Sequence, residues 1–301
     1  MNRSLPFLGG PWGSSNMAKV PVTAKAIKLR LAEIDVTPRK TRGQNFLTDV
    51  TVAERMVAFS GVGDGDRVLE IGPGLGSLTQ CLMAQVGQLF LVEIQPQFIA
   101  HLKEIFSGAG KLTFIESDIL SLRLADITPT KLCVVANLPY SISTDVLLWL
   151  IRERAQLKGA TLLLQREFAE RLASPPGSRA YGSLSVALQL YAEASLGEVI
   201  AGDKFSPAVA VESRFLKIAF RSQPQYEVTD AVWFERVVRA AFGQRRKTLL
   251  NSLLGSAVTK LNKSSKNALA EKLLFVGIEP SRRAETLSVE EFVRLAESLR
   301  D

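Results

Sequence analysis

From residue 67 onward, short apolar runs alternate with longer stretches of helical spacing. The runs are RVLEI, QLFLVEI, KLTFIE, KLCVVAN and ATLLLQ, followed by SLSVALQLYAEA and SRFLKIAF. Continuous apolar runs of this length predict buried strands, and the segments between them are long enough for crossover helices. That pattern predicts an α/β domain with a largely parallel, doubly wound sheet that binds ligands at the carboxyl ends of its strands. The last two runs lie closer together and predict an antiparallel addition at the sheet edge. After about residue 226 the strand signal stops. WFERVVRAAF, KTLLNSLLGSAVTKL, KNALAEKLLFVG and SVEEFVRLAESLR all carry apolar positions at 3.6-residue spacing, which predicts a small C-terminal all-α domain. Upstream, helical spacing near 22–34 and 49–60 flanks a basic connection, TPRKTRGQNFL. Residues 1–16 mix Gly, Pro and Ser without periodicity and read as a flexible tail, with Met17 an alternative start. The expected organisation is a tail at 1–20, an α/β domain at 21–225 that includes an N-terminal helical and basic segment, and a helical domain at 226–301.

Composition narrows the chemistry. Cys81 and Cys133 lie far apart and His101 is the one histidine, so neither a disulfide framework nor a multi-His metal site is expected, and a triad needing a second imidazole is excluded. The cysteine usage fits a reducing cytoplasm. The lack of acidic residues before Glu33 is shared with transit peptides, which keeps a mitochondrial matrix location as an alternative. No apolar window reaches membrane-spanning length. The net charge of +7 is segregated, with +6 in residues 1–43, +9 in 236–283 and −8 in the remainder. Clustered cations suit a polyanion such as nucleic acid, although a basic helix can also simply be a solvated face. Gln244-Arg245-Arg246-Lys247-Thr248 opens a predicted helix in the basic region, where Arg245, Arg246 and Lys247 are the candidate phosphate contacts.

Four strand ends carry the candidate chemistry. RVLEIGPGLGSLT passes from strand to helix through Gly72, Gly74 and Gly76. Such a loop lets backbone approach a ligand, and serves dinucleotides, S-adenosylmethionine or tight packing alike. Glu93 ends the next strand, where a carboxylate can accept bonds from ribose hydroxyls. Asp118 ends the third, where it can meet an adenine amine or merely cap a helix. Asn137-Leu138-Pro139-Tyr140 ends the fourth. An exocyclic base amine is a poor nucleophile because its lone pair is delocalised into the ring. Two hydrogen-bond acceptors aimed at its N–H groups draw that pair out of conjugation. Asn137 and the Leu138 or Pro139 carbonyl can supply them, while Tyr140 offers a stacking face. An Asn-Pro turn after a strand is the plainer explanation of the same residues. His101, in FIAHLKEIF, reads as a surface or boundary residue. Cys81, Cys133, Trp149 and Trp233 read as packing residues.

Together with GQNFL (43–47), SDIL (117–120), NLPYSIST (137–144), QREFAERL, YGSLSV, FSP, AFGQRRKTLLNSL and RAETLS, these strings resemble the KsgA-type small-subunit ribosomal RNA adenine dimethyltransferases over roughly residues 40–298. The resemblance implies a Rossmann-like class I S-adenosylmethionine-dependent methyltransferase fold. It implies cofactor contacts from Asn45, Leu47, Gly72, Gly74, Glu93, Asp118 and Asn137, with catalysis at Asn137, Pro139 and Tyr140. It also implies that the base stacks on Tyr140 and Phe205. The implied activity is N6,N6-dimethylation of two adjacent adenosines in the 3′-terminal hairpin of small-subunit (16S) rRNA, within the small subunit or its precursor. The enzyme would be a monomer needing no metal, with a coupled role in subunit biogenesis. Gln95 stands where the family often has Asp, Ser141 where Asn is frequent, and Glu212 where Asp is common. Three other readings compete: an Erm-like large-subunit rRNA methylase, an assembly factor acting mainly by binding the immature subunit, and an NAD oxidoreductase.

Overall fold

The computed structural model describes residues 20–37, 43–258 and 266–300. The expected tail therefore lies outside the described residues except for Val20, as does part of the basic connection. In chain order the elements are α1 (Ala24–Glu33), β1 (Phe46–Leu47), α2 (Val50–Ser60), β2 (Arg67–Ile71), α3 (Ser77–Gln85), β3 (Gln88–Glu93) and α4 (Pro96–Ile105). These are followed by β4 (Leu112–Glu116), α5 (Leu124–Ile127), β5 (Leu132–Asn137), α6 (Ser143–Arg152), β6 (Leu157–Gln165), α7 (Arg166–Ala173) and α8 (Ser183–Tyr191). The last are β7 (Ala192–Ile200), β8 (Phe205–Ser206), β9 (Ser213–Phe220), α9 (Ala231–Phe242), α10 (Leu249–Leu254), α11 (Lys266–Phe275) and α12 (Val289–Ser298).

Local chemistry sets many of the helix ends. Thr23, Asp49 and Asp230 accept backbone N–H bonds at the starts of α1, α2 and α9, and Ser288 and Glu291 form a reciprocal capping box on α12. Gly61 closes α2 in the left-handed region that an L side chain avoids.

The main sheet has the order β4-β3-β2-β5-β6-β9-β7, with β4, β3, β2, β5 and β6 all parallel. Strands β2 and β3 are buried at every position after the first, as expected of strands covered on both faces. The chain enters at β2, runs outward to β4, then returns to β5 on the other side of β2. The carboxyl ends of β2 and β5 therefore diverge at a topological switch point, where open α/β sheets bind ligands. A second, two-stranded ladder pairs β1 with β8 antiparallel.

One predicted strand is corrected. SLSVALQLYAEA begins as the helix α8 and becomes strand only from Ala192. Ser185, Val186, Ala187, Leu188, Leu190 and Tyr191 are all buried, so the helix is apolar around most of its circumference and reads like a buried strand. Within the sheet, β9 lies between β6 and β7.

The chain forms two compact units, one of residues up to Arg166 plus Gly197–Lys217, the other of Glu167–Leu196 and Ile218 onward. The expected boundary at 225/226 is therefore shifted. The helical unit takes in α8 and nearly all of α7 from the middle of the chain, and Tyr181, in the connection between them, joins its aromatic core. Tyr181 meets Phe242 edge to face at 6.1 Å, and Phe242 stacks on Phe292 at 5.6 Å.

Candidate active site

A cavity of about 810 Å³ opens at the switch point of the first unit. It is large enough for a nucleoside-sized ligand. Asn45, Leu47, Gly72, Gly74, Glu93, Asp118, Asn137 and Pro139 all line it, so residues spread over more than ninety positions of sequence converge on one wall. Glu70, Gln95 and Ser141 line it as well.

The glycine loop follows from backbone geometry. Gly72, Gly74 and Gly76 have φ of 65°, 54° and 90°, a region costly for any residue bearing a Cβ. A Cβ at Gly72 would meet nothing within 4 Å, so the bare backbone faces open space for a ligand. At Gly74 a Cβ would sit 3.0 Å from the Phe46 ring, which lies against the loop. Glu93 is buried. Its Oε1 accepts the Ile94 and Gln95 backbone N–H groups at 2.9 and 3.0 Å. Burial raises its pKa against the opposing pull of those bonds. Asp118 both caps and lines: Oδ1 accepts from Leu120 N–H at 2.9 Å while the residue stays exposed at the cavity edge.

Glu70, which drew no role from the sequence, is fully buried between this loop and α3. Desolvation pushes its carboxyl up to about 8, and the facing Glu93 pushes the same way, against the bond from Thr79 Oγ1 at 2.7 Å. The acid is therefore protonated at neutral pH.

The Asn137 segment is held in one orientation. Its Nδ2 donates to the Asn45 carbonyl at 3.1 Å. A carbonyl can only accept, so the amide nitrogen must face Asn45, and among the described residues Oδ1 has no partner at the cavity wall. Of the two carbonyls considered as a second acceptor, that of Pro139 is already occupied by Ile142 N–H at 3.2 Å and Ser143 Oγ at 3.3 Å. Among the described residues no backbone N–H donates to the Leu138 carbonyl, although Leu138 is itself buried and is not among the residues lining the cavity. Tyr140, expected to stack on the base, is not among the residues lining the cavity; it is half-buried beside them, and its hydroxyl is paired with the buried Ser213 Oγ at 2.6 Å, which fixes the ring. Gly43 entered the sequence reading only as the first residue of GQNFL, with no role of its own. At φ 61° a Cβ there would lie 2.9 Å from Tyr140 N and 3.1 Å from Ser141 N, so GQNFL packs directly on the NLPY turn.

Three expectations are corrected. Phe205 does not line the cavity. It is 2% exposed in the core beside Leu47, opposite which the β1–β8 register places it, and a buried apolar ring offers no face to a base in this arrangement. His101 is not a surface residue: it is 1% exposed, with Nδ1 accepting from Arg30 Nε at 2.8 Å. The signal was its place on the same α4 face as Phe98, Leu102 and Ile105. In the second unit, Arg245, Arg246 and Lys247 are exposed, but they lie in the turn between α9 and α10 rather than opening the helix, because Thr248 is the cap. Arg245 also donates to the Arg179 and Tyr181 carbonyls, at 2.7 and 3.1 Å. Trp149 is a packing residue as expected, its Nε1 donating to Leu122 O. Trp233 binds Ala296 O in the same way. Cys81 and Cys133 are unpaired and partly buried. Among the described residues there is no cluster suited to a metal and no helix long and apolar enough to cross a membrane.

The cavity's donor and acceptor set fits an adenosine-containing cofactor, with bare backbone at Gly72, a buried carboxylate at Glu93 and an edge carboxylate at Asp118.

Comparison with known proteins agrees. The chain is 38% identical over 290 residues to ribosomal RNA small subunit methyltransferase A of Shouchella clausii, covering 94% of this chain and 97% of that one. It is 42% identical over 270 residues to the protein of the same name from Geobacter sulfurreducens, covering 88% and 96%. In fold it resembles a dimethyladenosine transferase from Plasmodium falciparum (TM-score 0.71, 23% identity, 83% and 95% covered). It also resembles the 23S rRNA methyltransferase ErmE (TM-score 0.64, 24% identity, 85% and 100% covered). The architecture is the Rossmann-like class I methyltransferase fold with added C-terminal helices. The model of the family described as ribosomal RNA adenine dimethylase matches residues 36–301, and the chain belongs to that family.

Proposed function

We propose that this enzyme dimethylates N6 of two adjacent adenosines in the 3′-terminal hairpin of small-subunit rRNA, acting on the small subunit or its precursor in the cytoplasm. The observation that carries this reading is the Asn137 amide, locked by Asn45 so that an oxygen unpartnered among the described residues stands at the cavity wall. S-adenosylmethionine would supply an electrophilic methyl group. Gly72, Gly74, Glu93 and Asp118 are the residues positioned to hold it, with Asn45 and Leu47 beside them.

The chain's own contribution to the chemistry is orientation and hydrogen-bond acceptance. Asn137 Oδ1 and the Leu138 carbonyl each take one N–H of the target amine, which localises the lone pair on nitrogen. Pro139 shapes the turn through its ring, while its carbonyl closes the turn and the start of α6. Tyr140, anchored on Ser213, offers a fixed ring to the base. No side chain of the turn needs to act as a base, since the amine releases its proton only after it has become cationic. Fixing the base against the donor can account for about 7–11 kcal/mol of a barrier in well-oriented systems. Arg246 and Lys247, exposed in the α9–α10 turn, suit phosphate contact without sequence readout.

The test is nucleoside mass spectrometry of unmethylated small subunits incubated with the protein and S-adenosylmethionine. N6,N6-dimethyladenosine should appear with the natural chain and fall at least about 100-fold with Asn137→Ala, the scale of removing one pre-organised polar group. Methylation of large-subunit RNA instead would redirect the substrate. Tight subunit binding without methylation of either RNA would favour an assembly role.

A further inference from the structure

We propose that His101 is a positioning residue whose neutral ring fastens the N-terminal helix α1 to the glycine loop, and that cofactor affinity falls when this ring is protonated. The inference rests on the cofactor reading above and adds a pH-dependent element to the same site.

The geometry assigns the tautomer. Arg30 Nε can only donate, so His101 Nδ1, 2.8 Å away, must carry no proton. The ring hydrogen is therefore on Nε2, which faces the Leu75 carbonyl at 3.4 Å. Leu75 sits between Gly74 and Gly76, in the loop that forms the cradle. Arg30 belongs to α1, which precedes residue 36, where the family match begins. The same junction is packed by Ile27, Leu31, Val36, Leu75 and Phe98.

What α1 holds in place is part of the site. Asp35, Val36 and Thr37 line the cavity directly after the helix. Asp35 N–H bonds to Ala32 O at 3.3 Å and Val36 N–H to Leu31 O at 2.8 Å, so this wall continues the helix. Release of α1 from the loop would displace wall and loop together.

Protonation would break the arrangement. A proton on Nδ1 ejects the Arg30 bond and sets an imidazolium against a guanidinium where the ring is 1% exposed. The charged groups facing the ring are Arg30 and Glu33 of α1 and Glu104 of α4. Both carboxylates are already paired with the Arg30 guanidinium and are themselves largely exposed, so they offer the ring little compensation. Burial, then Arg30, lowers the histidine's pKa from its usual range. A group depressed in the folded state contributes fully above its unfolded pKa, and the contribution is lost as pH falls through the folded one.

The experiment pairs two readouts on the full chain. Binding of S-adenosylhomocysteine is measured by calorimetry from pH 8.5 to 5.5, and amide exchange of residues 24–36 is followed over the same range without ligand. The natural chain should lose at least about fivefold in affinity at the acid end, with a limiting slope of tenfold per pH unit for one proton. Exchange of α1 should accelerate in parallel. His101→Gln retains a donor toward Leu75 and cannot be protonated, so both pH dependences should flatten. Arg30→Met should accelerate α1 exchange already at pH 8, and this comparison stands even if His101→Gln fails to fold. Affinity independent of pH, an equal slope in His101→Gln, or α1 exchange indifferent to pH would each overturn the proposal. Absence of S-adenosylhomocysteine binding at every pH, with α1 exchange still following His101, would instead overturn the cofactor reading.

Discussion

Replacing Glu70 with Gln should shift stability toward the variant as pH rises from about 4.5 to about 8, with the gain level above that. The carboxyl is fully buried, bonded to Thr79 Oγ1 and held at about 8 against 4.5 in the unfolded chain. Between those values the folded protein keeps a proton that the unfolded chain releases. The sign follows: Glu70's contribution is greatest below pH 4.5, falls as pH rises through 4.5–8, and is flat above. At about 1.4 kcal/mol per pH unit the whole window amounts to about 5 kcal/mol, an upper figure because burial dominates the shift. Gln resembles the protonated acid in shape, accepts the same threonine bond and does not titrate. The assay is urea unfolding of both proteins at pH 5, 7 and 9. Carboxylates other than Glu93, which faces Glu70, titrate alike in the two and cancel in the difference. The difference between variant and natural chain should grow toward the Gln variant by several kcal/mol between pH 5 and pH 9. A difference independent of pH would refute a buried, protonated Glu70.

Gly43→Ala should destabilise by about 1–3 kcal/mol, since it adds a Cβ 2.9 Å from Tyr140 N at a positive φ, and kcat should fall with it as the turn shifts. Thermal unfolding and single-turnover methylation check the two effects. Tyr140→Phe and Ser213→Ala each break the same part-buried 2.6 Å bond; each should cost about 1 kcal/mol, with the double variant costing less than the sum of the two, as a double-mutant cycle by denaturation reads. Arg246→Glu with Lys247→Glu should weaken binding to small subunits and reduce its salt slope while leaving cofactor affinity unchanged. Arg245 is a poorer choice for reversal, because its guanidinium also holds the Arg179 and Tyr181 carbonyls.

Much of this protein is legible along the chain because its chemistry lies at strand ends. A parallel sheet brings the carboxyl ends of its strands to one edge, so apolar runs ending in the glycine loop, Glu93, Asp118 and Asn137 already imply a shared site. Left-handed glycines are likewise written in the sequence, since only Gly tolerates those angles cheaply. What the sequence leaves open is whatever depends on contacts between distant segments. The two candidate carbonyls beside Asn137 are equivalent as text, and only the turn shows that Pro139 O is used by Ile142 and Ser143 while no described backbone N–H is spent on Leu138 O. Phe205 reads as a stacking ring until pairing opposite Leu47 puts it in the core. SLSVALQLY reads as strand because a helix buried nearly all round has lost its amphipathic period. His101 takes its meaning from Arg30, 71 residues away, and from a loop carbonyl 26 residues away. The sequence by itself determined the sheet, the cradle and the acceptor motif, because local conformational limits and strand direction act residue by residue. Tertiary structure decided which polar atoms remain free to act, because a hydrogen bond spent elsewhere in the fold is no longer available to a ligand.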